Sequence, residues 1–180
     1  YEENLRQHRQ WWQDYWDKSA VMLPDPLFEK NWYIAAYLLA SCSRKGGYPM
    51  PLQGLWTADD GKLPPWKGDY HHDLNTELSY YSYLKANRLE QGACFLDFLW
   101  SLREKGAEFA RTFYHAPGAC LPATMTIDAQ PLGGWGMYSL SPVMCAWLAQ
   151  VFERHYRYTG DTDFLRERAY PYMKDAGEFL

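Results

Sequence analysis

Helical periodicity, interrupted by two long segments rich in glycine and proline, is the feature that most constrains the fold of this chain. No stretch alternates polar and apolar residues for long enough to demand a sheet. Apolar side chains instead recur every three to four residues in six stretches, which are predicted as helices: about 5–18, 26–43, 74–89, 94–113, 141–158 and 164–180. The sequence therefore predicts an all-α fold.

Two helix boundaries carry clear local signals. Asp25 is a suitable N-cap because its carboxylate accepts free backbone N–H groups, and Pro26 is tolerated at the first helical position. Gly160 is typical of a helix end, and Asp161 directly behind it is a suitable cap for the next helix. These signals predict one helix that starts at Pro26 and another that ends at Gly160.

The two interruptions are the segment 44–70 and the Pro/Gly-rich segment that ends near residue 136. Loops longer than about 12–15 residues are uncommon in compact domains and are usually functional or disordered. The large aromatic residues in the segment 44–70 favour order and function. If consecutive helices pack as antiparallel hairpins, both loops fall at one end of a helical ring and form a cleft there. No fixed-period repeat is present, which disfavours a peptide-binding solenoid.

Charge and aromatic content limit the class of ligand. A formal net charge of -4 offers no cationic surface for phosphates, so nucleic acid is not expected as a partner. Aromatic residues make up 18% of the chain, more than a core of this size requires. Aromatic rings that face a cleft suit the C–H faces of sugars, although a Trp-rich helical core is an equal alternative. Trp56, Trp66 and Trp135 are candidate stacking platforms, or they pin their loops onto the helices.

The cysteines and the hydropathy predict neither a metal site nor a membrane span. Cys42, Cys94, Cys120 and Cys145 show no paired spacing and no nearby histidine at zinc-ligand spacing, so buried free thiols are expected. No stretch approaches the roughly 18–20 continuous apolar residues that cross a membrane. No metal site is therefore predicted.

Proton-transfer chemistry is concentrated in the segment Asp69–Glu77, at the end of the first long loop. Glycosidic hydrolysis with inversion needs an acid for the leaving oxygen and a base for a water on the opposite face of the sugar. Asp73 and Asn75 are candidates for orienting that water. The alternative is that Asp73 is an ordinary helix N-cap and that Glu77 complements the helix dipole.

Three further polar residues near this segment are candidate substrate contacts. His71 and His72 are adjacent, so on a regular backbone they point apart, and the i, i+4 spacing of the helical zinc motif is absent. A hydrogen bond to a sugar hydroxyl is one interpretation, and an ordinary buried histidine is the alternative for one of the two. Gln53, in the first long loop, is the third candidate.

Several motifs, in order from about residue 32 onward, resemble the catalytic domain of glycoside hydrolase family 95, the inverting 1,2-α-L-fucosidases and their α-L-galactosidase relatives. The motifs are Tyr37–Arg44, Leu52–Trp56, Pro64–His71, Asp73–Asn75, Gly134–Met137 and His155–Asp161. Against the family pattern His-x-Asn-x-Asn, Asn75 matches the second Asn, whereas Asp73 replaces the first. A carboxylate at this position can act directly as a base, where an amide only orients water.

This resemblance implies part of an (α/α)6 toroid of the six-hairpin glycosidase type, with residues 1–180 as its N-terminal portion and no internal domain boundary. It further implies an oligosaccharide or polysaccharide substrate, no cofactor, and a general-acid Glu with a supporting Asp beyond Leu180. A secreted or periplasmic location is favoured on the resemblance alone. The fragment by itself is expected to be inactive, and the sequence does not give its oligomeric state.

Two other functions remain open from the sequence. Another enzyme on the same toroid, such as a polysaccharide lyase, needs a cationic group to neutralise a uronate, and residues 53–77 contain no clear Arg/Lys cluster. A non-catalytic carbohydrate-binding or interaction fragment is the second alternative.

Overall fold

The structure is a computed structural model that describes residues 1–54, 62, 66, 68–133 and 136–180. These residues are mainly helical, which confirms the all-α prediction. The helices are α1 Glu2–Trp16, α2 Pro26–Cys42, α3 Asn75–Tyr80, α4 Ser82–Lys85, α5 Leu89–Ser101, α6 Arg103–Phe109, α7 Gly136–Ser139, α8 Met144–Thr159, α9 Thr162–Phe164 and α10 Tyr170–Phe179. Two π-helical turns, Ala110–Tyr114 and Leu165–Ala169, continue α6 and α9. No helix among the described residues is long and apolar enough to cross a membrane.

The helix boundaries that carried local signals are confirmed. Asp25 accepts a hydrogen bond from the backbone N–H of Leu27, and α2 starts at Pro26. Gly160 ends α8 with a φ of 66°, and Asp161 accepts hydrogen bonds from the N–H groups of Asp163 and Phe164. Side-chain hydrogen bonds and a left-handed glycine fix these ends, as the sequence predicts.

The helix predicted over 74–89 is broken into shorter elements. It divides into α3 and α4, and Asn87, with a φ of 53°, then turns the chain into α5. A Cβ on Gly92 would lie 2.3 Å from the ring of Tyr83, so a glycine in α5 is what allows Tyr83 to pack there. The helix predicted over 164–180 also changes geometry, because Pro171 lacks the N–H that a regular α-helix would use and the wider π-turn precedes it.

The core is formed mainly by α5, α8 and α10. Phe95 and Leu99 of α5 and Leu148 and Phe152 of α8 are fully buried. The rings of Phe152 and Tyr172 stack with centroids 4.1 Å apart and join α8 to α10 as a helical hairpin. The α5, α8 and α10 helices therefore form the rigid wall behind the loops.

A buried arginine is one of the contacts that attach α1 to the rest of the chain. The guanidinium of Arg88 is fully buried, lies 3.7 Å above the ring of Tyr15 and donates to the backbone oxygens of Tyr15 and Ser19. Cation–π contact and two carbonyl acceptors compensate the cost of burying its charge.

A two-residue antiparallel ladder joins the two long connecting segments. Strand β1, Tyr70–His71, pairs with β2, Thr124–Met125, with Tyr70 opposite Met125 and His71 opposite Thr124. A ladder this short is consistent with the absence of period-2 alternation. The ladder brings the two long connecting segments into contact, which agrees with the prediction that both lie at one end of the helices.

Candidate active site

The segment Asp69–Asn75 lies between the two long loops, and backbone hydrogen bonds hold it on both sides. The N–H of Leu52 donates to the carbonyl of Asp69 at 2.9 Å, and the N–H of His72 donates to the carbonyl of Ala123 at 2.6 Å. Gly68, with a φ of 67°, lets the chain turn into β1. The side chains of this segment are therefore presented from a fixed backbone.

The imidazole of His71 lies between two carboxylates. Its Nδ1 is 3.0 Å from Oδ2 of Asp69, and its Nε2 is 3.6 Å from Oδ1 of Asp73. The three side chains are only 5–28% exposed, Asp69 being the most buried and Asp73 the least. The backbone N–H of His71 donates to Oγ1 of Thr76, so the ring position is fixed from α3 as well. We call Asp69, His71 and Asp73 the carboxylate–histidine cluster.

Asp73 is not a helix cap. Helix α3 starts at Asn75, its N-cap position is Leu74, and no side chain caps it. The helix-cap interpretation of Asp73 is therefore wrong, because the backbone at Asp73 is still a turn. Oδ1 of Asp73 is buried and has no hydrogen-bond partner within the described ranges. Asn75, two residues later, is exposed at the first position of α3.

The second histidine points the opposite way and lies in the core. His72 is fully buried, and its Nδ1 is 3.1 Å from Oε1 of Glu77, which is also buried. The ring is near parallel to that of Tyr70, with centroids 6.2 Å apart. His72 is therefore the ordinary buried histidine that the sequence allowed for one of the two adjacent histidines. It has no exposed surface for a ligand.

Two residues with defined contacts here received no role from the sequence. Asp69 was noted only as part of a polar run, yet it holds Nδ1 of His71. Glu77 was considered as a partner of the helix dipole, yet it pairs with His72 instead. The only sequence signals for these pairs are their spacings: Asp69 is two residues before His71, and Glu77 is five residues after His72. Such spacings are too common to be specific.

The remaining predicted contacts lie around the same cluster or outside the described residues. Gln53 is in the loop next to Asp69, and its Oε1 is buried without a hydrogen-bond partner among the described residues. Trp66 is 41% exposed, with its ring edge-on to His71 at a centroid distance of 5.7 Å. Trp56 and Trp135 lie outside the described residues.

The arrangement presents acceptor oxygens that lack donors. Oε1 of Gln53, Oδ1 of Asp69 and Oδ1 of Asp73 are each buried and have no hydrogen-bond partner in the part of the chain that is described. Buried acceptors are normally satisfied, so a set of unsatisfied ones calls for a ligand or water that supplies O–H donors. In those same residues, no group of three His, Cys, Asp or Glu side chains is arranged to hold a metal ion.

Comparison with known proteins gives one family and two relatives. The family model described as the glycosyl hydrolase family 95 catalytic domain matches residues 7–180. Alpha-L-fucosidase 2 of Arabidopsis thaliana is 33% identical over 159 residues, which are 87% of this chain and 19% of that protein. Probable alpha-fucosidase A of Aspergillus niger is 28% identical over 150 residues, 79% of this chain and 18% of that protein. The chain thus spans less than a fifth of the length of these two relatives.

Proposed function

This chain belongs to glycosyl hydrolase family 95, and from that premise we propose that the protein containing it is an inverting glycoside hydrolase. Its proposed substrates are α-L-fucosidic or related α-L-galactosidic linkages in oligosaccharides or polysaccharides. The names of the two relatives, both fucosidases, support the choice of sugar. The contribution of residues 1–180 is the side of the site that positions the attacking water.

The observation that carries the proposal is the set of unsatisfied acceptors around the carboxylate–histidine cluster. A pyranose offers several hydroxyl donors at fixed spacing, and water offers two more hydrogens. Oxygens of Gln53, Asp69 and Asp73 are available as their acceptors. Trp66, beside His71 and partly exposed, offers an apolar ring for the C–H face of the same sugar.

Asp73 is the proposed general base. In an inverting reaction, water attacks the anomeric carbon from the face opposite the leaving group and loses a proton as the new C–O bond forms. Oδ1 of Asp73, which has no hydrogen-bond partner among the described residues and lies 3.6 Å from Nε2 of His71, takes that proton. The amide of Asn75 orients the water through its oxygen or NH2 group. His71, held by Asp69, keeps the carboxylate of Asp73 in place.

The general acid is proposed to lie outside this chain. It protonates the leaving oxygen, and the two carboxyl groups of an inverting pair are about 6.5–9.5 Å apart, which leaves room for the water. His72 is proposed to position the turn rather than to contact the sugar, since it is fully buried against Glu77. Trp56 and Trp135 remain proposed stacking residues.

Two substitutions at one position test these roles. In the full protein, Asp73→Ala removes the proposed base, and we expect kcat to fall about 10²–10⁴-fold, the usual contribution of general acid–base catalysis. Asp73→Asn restores the His-x-Asn-x-Asn pattern of the family. If the carboxylate is the base, the asparagine variant is also strongly impaired; if it only orients water, the asparagine variant keeps most of its activity.

The assay uses aryl α-L-fucosides, α-L-galactosides and 2-linked fucosyl oligosaccharides, with the product anomers followed by NMR. Asp14→Ala, at an exposed position of α1, is the matched control and is expected to match the wild type. Inverted product that is lost in Asp73→Ala supports the proposal. Full activity in Asp73→Ala removes the base assignment, and retained stereochemistry removes the inverting mechanism. Inactivity of the wild type on every substrate favours another sugar or a binding role.

A further inference from the structure

Two of the four cysteines meet inside the core, far from each other in sequence. Cys120 precedes β2, and Cys145 is the second residue of α8; both are almost fully buried. Sγ of Cys145 is 3.1 Å from the carbonyl oxygen of Pro142, and Sγ of Cys120 is 3.9 Å from the same oxygen. Both residues also line the same small cavity. The two thiols therefore meet at one carbonyl oxygen in the core.

Cys94 is just as buried, but its partners are Gln91 and Tyr80 rather than the surroundings of another cysteine. Its Sγ donates to the carbonyl of Gln91 at 3.2 Å and lies 3.8 Å from the hydroxyl of Tyr80. The neighbourhood of Cys120 and Cys145 is thus not a general property of buried cysteines in this chain. Cys94 is an internal reference with comparable burial.

We propose that Cys120 and Cys145 form an oxidisable dithiol that closes to an intramolecular disulfide on reaction with a small-molecule disulfide such as oxidised glutathione. The thiolate of Cys145 attacks one sulfur of that oxidant and releases the first glutathione thiolate. Cys120 then loses its proton and attacks the Cys145 sulfur of the mixed disulfide, which releases the second glutathione. The two cysteines lose two electrons and two protons, and one glutathione disulfide becomes two glutathione molecules.

The surroundings assign Cys145 as the attacking sulfur. The neighbouring thiol of Cys120, the N–H of Ala146 and the first-turn position in α8 favour the thiolate of Cys145, so the pKa of Cys145 is lowered. Interaction with Cys145, together with burial, raises the pKa of Cys120. A small cavity lined by both cysteines and by Arg103 and Tyr172 adjoins the pair.

The cross-link would brace the strand pair beneath the candidate active site. Three residues after Cys120, the carbonyl of Ala123 accepts from the N–H of His72, and Thr124 lies opposite His71 in the ladder. A bond from Cys120 to α8 ties this segment to the rigid core. Oxidation is therefore expected to raise the midpoint temperature of unfolding.

The positions of Lys, Arg and Met make the bond easy to detect. In the full protein, trypsin is expected to release Cys42 in peptide 31–44, Cys94 in peptide 89–103, and both Cys120 and Cys145 in peptide 112–154. After incubation with oxidised glutathione, either folded or during refolding from urea, free thiols are alkylated before digestion. We expect peptide 112–154 to be lighter by two hydrogens and unalkylated, with peptides 31–44 and 89–103 alkylated.

Cleavage of peptide 112–154 at methionine gives the decisive comparison. Cuts after Met125, Met137 and Met144 separate Cys120 from Cys145, so the fragments 112–125 and 145–154 stay joined only if the disulfide is present. In Cys145→Ser, Cys120 is expected to be alkylated or to carry glutathione. The proposal is overturned if both cysteines of the wild type are alkylated after oxidation in the folded state and after refolding. A bond from either of them to Cys42 or Cys94 also overturns it.

Discussion

The segment that carries the carboxylate–histidine cluster and the hairpin of α8 and α10 satisfy their polar groups very differently. In residues 53–77, five side chains have a buried polar atom without a hydrogen-bond partner among the described residues: Gln53, Asp69, His72, Asp73 and Glu77. In the hairpin, Asp161 caps α9 with two backbone bonds, and Nδ1 of His155 lies 3.0 Å from the hydroxyl of Tyr83. Over Met144–Phe179, Trp147 is the one side chain with such an atom.

Unsatisfied buried groups are costly, so their concentration in one segment needs a reason. The hairpin is built for stability, and local rules of capping and packing account for it. The segment 53–77 departs from those rules, which is typical of places where a protein gives up stability for function. The contrast therefore supports the same segment as the candidate site without any reference to relatives.

The largest expected change concerns the buried pair of His72 and Glu77, behind the carboxylate–histidine cluster. Glu77→Ala leaves the fully buried His72 without its carboxylate partner, and removing one member of a buried pair typically costs about 3–5 kcal/mol. A loss of this size lowers the midpoint of unfolding of the protein that contains this chain, and we expect a fall of several degrees. Thermal unfolding followed by circular dichroism measures it.

Glu77→Gln is the matched control, because its amide oxygen still accepts a hydrogen bond from Nδ1 of His72. It should recover most of the lost stability. If Asp73→Ala cost as much stability as Glu77→Ala, Asp73 would also be a structural residue. That result would contradict the contrast between the candidate site and the hairpin.

Most of the fold follows from the sequence, because its determinants are local. Helical periodicity predicted α1 and α2, and cap chemistry predicted the ends at Pro26 and Gly160. The break between α3 and α4 was not predicted, and neither was the packing of Tyr83 against Gly92, which lie on different helices. Non-local packing of this kind leaves no periodic signal in one sequence.

The candidate site was predicted in part. The polar run containing His71, Asp73 and Asn75 was identified by its density of proton-transfer groups. The bridging of His71 by Asp69, and the pairing of His72 with Glu77, depend on the turn before α3 and on which side of it faces the core. Sequence spacing does not determine that orientation.

The next largest effect concerns the support of His71. Asp69→Ala removes the acceptor of Nδ1, and a buried hydrogen bond that is lost on one side costs about 1–3 kcal/mol. We expect kcat/KM to fall about tenfold or more, since about 1.4 kcal/mol corresponds to a factor of ten. Asp69→Asn keeps an acceptor oxygen and should recover part of the loss. Unchanged kinetics in Asp69→Ala would show that His71 needs no support from Asp69.

The smallest effect is expected in the hairpin and depends on pH. Burial lowers the pKa of His155 below its usual 6.5, and the nearby carboxylate of Asp161 partly opposes this. As the pH falls through about 6.5, the unfolded chain therefore binds a proton before the folded chain does. The free energy of unfolding is highest above this range and decreases as the solution becomes more acidic.

Asp161→Asn separates the charge of Asp161 from its role as a cap. Asn and Asp are similar N-caps, so α9 should keep its start and the stability at pH 8 should change little. Without the carboxylate, the pKa of folded His155 decreases further, so the variant should lose more stability than the wild type between pH 8 and pH 5. His155→Phe removes the titrating group and should flatten the same comparison. A steeper acid loss in Asp161→Asn that persists when His155→Phe is added would place the titration on another group, and the hairpin would no longer be the better satisfied half of the contrast.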